Sequence, residues 1–172
     1  MVISNPLLLP EKMMKQSKRI LLLLMIVLIH TGCGNDENGE RSATTDDAGE
    51  LTPFELEHGI GPVTERLDIG DLDVERARRG ADIFDRRCTA CHRMERRFVG
   101  PSLGDVTEVR SDEFIINFIL NPEEMTNRHP VGQELLQDYM TIMPYQNVTK
   151  EQAIEIVDFL RYYTETGEDL RD

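Results

Sequence analysis

The chain has 172 residues, 40% of them hydrophobic, and carries 32 acidic against 19 basic side chains for a formal charge of −13. So acidic a protein is an unsuitable partner for nucleic acid. With three cysteines and four histidines, it also lacks the paired cysteine sets of a structural zinc domain.

The first element is a leader. Lys12, Lys15, Lys18 and Arg19 precede an apolar run from Ile20 to Ile29, and His30-Thr31-Gly32-Cys33 follows. A basic region, a short hydrophobic core and a small-residue context describe a secretory signal over residues 1–32. Ten apolar residues fall short of the roughly 20 that cross a bilayer as a helix, so no permanent span is expected. Met13 or Met14 would serve equally as the start. Gly32-Cys33 resembles the bacterial lipoprotein cleavage box; Thr31 and Gly32 fit it, while His30 stands where that family usually has Leu. The resemblance implies that Cys33 becomes a lipidated N-terminus. The other reading is an ordinary secreted protein with a spare thiol, which is unusual in an oxidising compartment. Removal of the leader would leave a charge of −16.

Gly34 to Glu50 contain no large apolar residue and cannot bury enough surface to fold. As a flexible tether this stretch reaches about 20–25 Å. Residues 33–56 are therefore expected to form a lipid-anchored, disordered acidic linker, 57–166 the folded domain and 167–172 a C-terminal tail.

The folded part reads as all-α. Asp73 caps a helix towards Phe84 with Val74, Ala77, Ala81 and Phe84 on one face. Ser111 caps an apolar segment, Phe114 to Leu120, closed by Asn121-Pro122. Gln133 to Met140 makes a short third helix. Thr149 and Gln152 form a capping box that opens a last helix with Ala153, Ile156, Val157, Leu160 and Tyr163 at helical spacing. Convincing strand alternation is absent throughout.

Between the first two helices lies Cys88-Thr89-Ala90-Cys91-His92. Two thiols one turn apart can each form a thioether to a haem vinyl group, and the adjacent imidazole can serve as an axial iron ligand. A zinc site would need a second cysteine pair, and the only other cysteine, Cys33, sits in the leader. A thioredoxin-like pair would follow a strand, and a plain disulfide would not require His92. Eight arginines lie between Arg76 and Arg97 (76, 78, 79, 86, 87, 93, 96 and 97) against Asp82, Asp85 and Glu95. They either pair with nearby carboxylates or form a basic rim that orients docking with an acidic redox partner.

The stretch from Asp73 to Tyr163 resembles the small monohaem cytochromes c of class I. The resemblance rests on Cys88 to His92, on Gly80 and Phe84 eight and four residues before Cys88, on Gly100-Pro101-x-Leu103, and on Met143-Pro144. It implies three to five helices wrapped around one covalently bound haem c. Gly80 would admit the last helix at Ile156 and Phe159. The Pro101 carbonyl would accept the Nδ1–H of His92 and orient the ring, while Leu103 packs on the haem face. Met143 would be the distal iron ligand, with Met140, Met125 and His129 as rivals; Met94 is too near His92 in sequence to reach the other face. Phe114 to Met125, Met143 to Thr149 and Gly59-Ile60-Gly61-Pro62 further resemble cytochromes encoded beside bacterial nitrous-oxide reductases.

These features lead to a one-electron carrier, not an enzyme, with no small-molecule substrate. It would take electrons from a quinol-oxidising complex or another cytochrome and pass them to a terminal reductase or oxidase. Its place would be the periplasmic or cell-surface side of a membrane, held by Cys33. The alternatives are a haem-based gas sensor or peroxidase-like enzyme with an open or displaceable sixth position, and a non-redox interaction module.

Overall fold

Helix caps written in the sequence set most of the element boundaries in the computed structural model, which describes residues 49–171. The leader, Cys33 and the tether up to residue 48 lie outside the described residues. Seven helices and no strand occur among those described: α1 (Pro53–His58), α2 (Val74–Arg87), α3 (Val106–Val109), α4 (Asp112–Leu120), α5 (Pro122–Arg128), α6 (Pro130–Tyr139) and α7 (Lys150–Thr166). None is long and apolar enough to cross a membrane.

Asp73, Ser111 and Thr149 each accept a backbone N–H three residues on, from Arg76, Phe114 and Gln152. Each satisfies one of the donors that a helix start leaves open. α2 runs one turn beyond Phe84, so that Cys88 is its C-cap. Its buried face is Ala77, Gly80, Ala81, Ile83 and Phe84. Val74, expected on that face, is 41% exposed; at about 100° per residue it falls just outside the arc of the buried residues, beyond Ala81. The third expected helix starts earlier, at Pro130, and ends at Tyr139, with Met140 left-handed at φ 54°.

Three helices were not anticipated. Thr52 and Glu55 form a reciprocal capping box at α1, a helix that crosses the boundary expected between linker and domain at residue 56. Leu51 packs on the cluster of Ile60, Phe114 and Met125, which gives this segment an apolar reason to be ordered. Asn121-Pro122 both closes α4 and opens α5, since proline suits a first helical turn where its missing N–H is no loss. α3 is a single turn.

The centre of the domain is the crossing of α2 on α7. A Cβ on Gly80 would stand 1.9 Å from the Glu155 carbonyl oxygen, so only glycine permits this approach. Phe84 and Phe159, both fully buried, meet with ring centroids 5.2 Å apart and planes tilted by 57°. Asp158, also buried, pairs with Arg76 and with Arg161 at 3.4 Å, and Arg161 reaches Asp112 on α4. The chain before α2 is pinned by Asn117 of α4. Its amide donates to the carbonyls of His58, Gly59 and Val63 and accepts the Val63 N–H at 2.9 Å.

Candidate functional site

The C-terminus of α2 delivers the motif. The N–H groups of Cys91 and His92 both bond the Cys88 carbonyl, at 3.0 and 2.9 Å. This tight turn brings Cys88, Cys91 and His92 to one cavity of about 530 Å³, whose walls also include Phe84, Pro101, Leu103, Ile115, Met143 and Leu160. Burial pushes the Cys88 thiol up to about 11, so at neutral pH it is a thiol rather than a reactive thiolate.

His92 is held in one orientation. Its Nδ1–H donates to the Pro101 carbonyl at 3.0 Å, leaving Nε2 with a free lone pair. Burial lowers its pKa, with the Pro101 bond opposing; the neutral ring is the form that ligates a metal. Gly100 makes room beside it, since a Cβ there would come within 2.6 Å of His92 Cε1. The loop between His92 and Leu103 is stiffened by Gly100 N–H to Cys91 O, Leu103 N–H to Arg93 O and Gly104 N–H to Met94 O.

The groups weighed for the distal position part company. Met143 is half-buried and lines the same cavity as His92. Met140 is 83% exposed. Met125 is fully buried in the second cluster, where its Sδ accepts the Ile60 N–H at 3.0 Å. His129 donates from Nε2 to the carbonyls of Glu55 and Leu56 and accepts the Val131 N–H at Nδ1. Both of its nitrogens are engaged within the fold.

The arginines divide. Arg76, Arg78 and Arg79 pair with Asp158, Glu75 and Glu155. Arg86, Arg87, Arg93, Arg96 and Arg97 form no ion pair with a carboxylate among the described residues, and Arg87 lines the cavity. Arg93 instead bonds the His92 carbonyl and lies 4.1 Å over the Phe98 ring. Tyr139, Thr141 and Ile142, at the end of α6 and just beyond it, also line the cavity. None of the three stands out in the sequence; an aromatic closing a helix four residues before a methionine-proline pair is the available signal.

The cytochrome c family profile matches residues 77–164, half of the chain. The chain belongs to the cytochrome c family. Among solved structures, a cytochrome c from Rhodothermus marinus is 42% identical, with a TM-score of 0.62, over 66% of this chain and 98% of the other. An engineered form of that protein, Rma TDE, is 40% identical over 67% and 100%, with a TM-score of 0.62. The same engineered protein bound to a carbene intermediate is 41% identical over 67% and 100%, with a TM-score of 0.60. No curated protein matches the chain.

This cytochrome c has the class I all-α fold and binds haem c covalently. The residues fit the group: two half-buried thiols on one turn, a neutral oriented imidazole and an apolar cavity large enough for a macrocycle. Cys88 and Cys91 would hold the haem, His92 and Met143 would face its iron, and Leu103 would pack on its plane. When bound, the haem supplies a one-electron iron couple. Proteins of this family are typically haem c electron carriers whose partners are other redox proteins.

Proposed function

We propose that this cytochrome c is a one-electron carrier with His92 and Met143 as the two axial ligands, held to a membrane outside the cytoplasm by a lipid on Cys33. The carrying observation is that Met143 lines the cavity with His92, while Met125 and His129 are bonded elsewhere and Met140 is turned to solvent. A thioether suits both iron oxidation states and raises the potential relative to two histidines. The chain's own work is to bury the group, orient His92 through Pro101 and exclude water with Ile115 and Leu160. Arg87 at the cavity, and the four arginines that like it have no carboxylate partner among the described residues, support docking to an acidic surface on the donor or acceptor.

A quinol-oxidising complex or another cytochrome is the donor in this reading. The acceptor is a terminal reductase; the stretches Phe114 to Met125 and Met143 to Thr149 favour nitrous-oxide reductase.

An optical spectrum tests the ligand set. The ferric protein should show the weak far-red band of iron–methionine ligation, and Met143→Ala should abolish it. The second reading, a displaceable sixth position for a gas sensor or peroxidase-like activity, is favoured by one feature. Residues 141–148 make no backbone–backbone hydrogen bond among the described residues. Rapid carbon monoxide binding to the ferrous protein at neutral pH would decide for that reading. Fatty-acid labelling of the native chain, lost in Cys33→Ala, tests the anchor.

A further inference from the structure

The loop that carries Met143 has little of its own to hold it. Without backbone bonds, its supports among the described residues are the Gln146 side chain, which donates to the Pro144 carbonyl at 2.7 Å, the buried Val148 and the contact of Met143 with the core. Its starting point, the end of α6, is held from outside. Arg97 belongs to the stiff loop that follows His92. Its Nη2 donates to the Asp138 carbonyl at 2.5 Å, and its guanidinium lies 4.0 Å from the centre of the Tyr139 ring. The Asp138 carbonyl is one of the last-turn acceptors that a helix cannot satisfy itself, at the end whose dipole attracts a cation. Tyr139 in turn lines the cavity, four residues before Met143.

We propose that Arg97 is a positioning residue: it clasps the His92 loop to the end of α6 and so governs how readily Met143 leaves the iron. An external ligand can take the sixth position only after the Met143 loop opens, so its apparent affinity scales with the open fraction. The clasp holds that fraction down from outside the cavity, which Arg97 does not line. The inference rests on Met143 being the distal ligand.

The test is titration of the ferric holoprotein with imidazole, read at the Soret band, beside the guanidinium unfolding midpoint. Arg97→Ala should bind imidazole about fivefold more tightly, the factor expected from losing an exposed cation–ring contact, with its unfolding midpoint nearly unchanged. Arg97→Lys, which keeps a cation but not the planar fork, should fall between. If the alanine variant fails to mature, Arg97→Lys and Arg97→Gln give the same reading, each expected to bind more tightly than the parent. Arg96→Ala, on the same loop but with its ring contact to Phe98 and no hydrogen bond, ion pair or ring contact to α6 among the described residues, should bind like the parent. Unchanged imidazole affinity in every Arg97 variant would overturn the clasp, as would an equal effect from Arg96→Ala. So would a gain matched by an equal loss of global stability. A parent protein without the far-red band would instead remove the Met143 reading on which the clasp depends.

Discussion

Replacing Gly80 with alanine sets two effects of known sign against each other. In an exposed helix the change would stabilise by about 1 kcal/mol, because glycine is the poorer helix former. Here the added Cβ would stand 1.9 Å from Glu155 O, 2.4 Å from Glu155 C and 2.9 Å from Ile156 N. All three are backbone atoms, so no rotamer change relieves the clash. α2 and α7 would have to part by roughly 1 Å or more, and a gap of that size forfeits a quarter to a half of the dispersion attraction across it. The facing side chains, Ala77, Phe84, Ile156 and Phe159, are each 2% exposed or less. Overpacking of this kind costs about 1–3 kcal/mol or more; a backbone clash belongs at the upper end. After the propensity gain, a net loss of about 2 kcal/mol remains. At roughly 4 °C per kcal/mol for a domain of this size, the midpoint should fall by about 8 °C. Thermal and guanidinium unfolding of the holoprotein measure it, with Asp82→Ala on the exposed face of the same helix as control, expected within about 0.5 kcal/mol of the parent. A Gly80→Ala protein as stable as the parent would refute the close-approach argument.

Asn117→Ala would strip partners from three carbonyls and the Val63 N–H; with about 1–3 kcal/mol for each group left dry and partial rescue by water, a loss of about 3 kcal/mol is expected, with faster hydrogen exchange at Val63. Gly100→Ala would press on the His92 ring at 2.6 Å and should shift the Soret band and the reduction potential while moving the unfolding midpoint less than Gly80→Ala does. Glu113 is buried, which raises its pKa, but the Leu67 N–H, its own backbone N–H and the nearby Arg66 and His58 together outweigh burial and hold it below the ordinary carboxylate range. A depressed folded pKa means that the contribution is present above the unfolded value of about 4.3 and is lost as pH falls through the folded value. Unfolding measured from pH 6 to pH 3 should therefore show a shallower acid decline in Glu113→Gln than in the parent.

Local chemistry made much of this protein legible in one dimension. Cys88 to His92 announced the cofactor because covalent attachment needs those residue types at that spacing. Asp73, Ser111 and Thr149 announced three helix starts because a cap bonds an N–H only three residues away. The same signal was present at Thr52 and Glu55, but the acidic stretch before it drew the whole region into a linker. Val74 was misplaced because periodicity marks a broad face, whereas the buried arc is set by what packs on it and is centred on Ala77, Gly80 and Phe84.

By itself, then, the sequence determined the haem chemistry, the helical class and most of the caps, all of which are set by residues within a turn of one another. It left four candidates for the distal side of the cavity. Only the tertiary structure separated them, by spending Met125 on the Ile60 N–H, His129 on the carbonyls of α1 and Met140 on solvent. It also brought Arg97 to Tyr139 across 42 positions of chain. Side chains with identical chemistry differ in role according to what the fold places beside them, and that placement is a long-range property of packing.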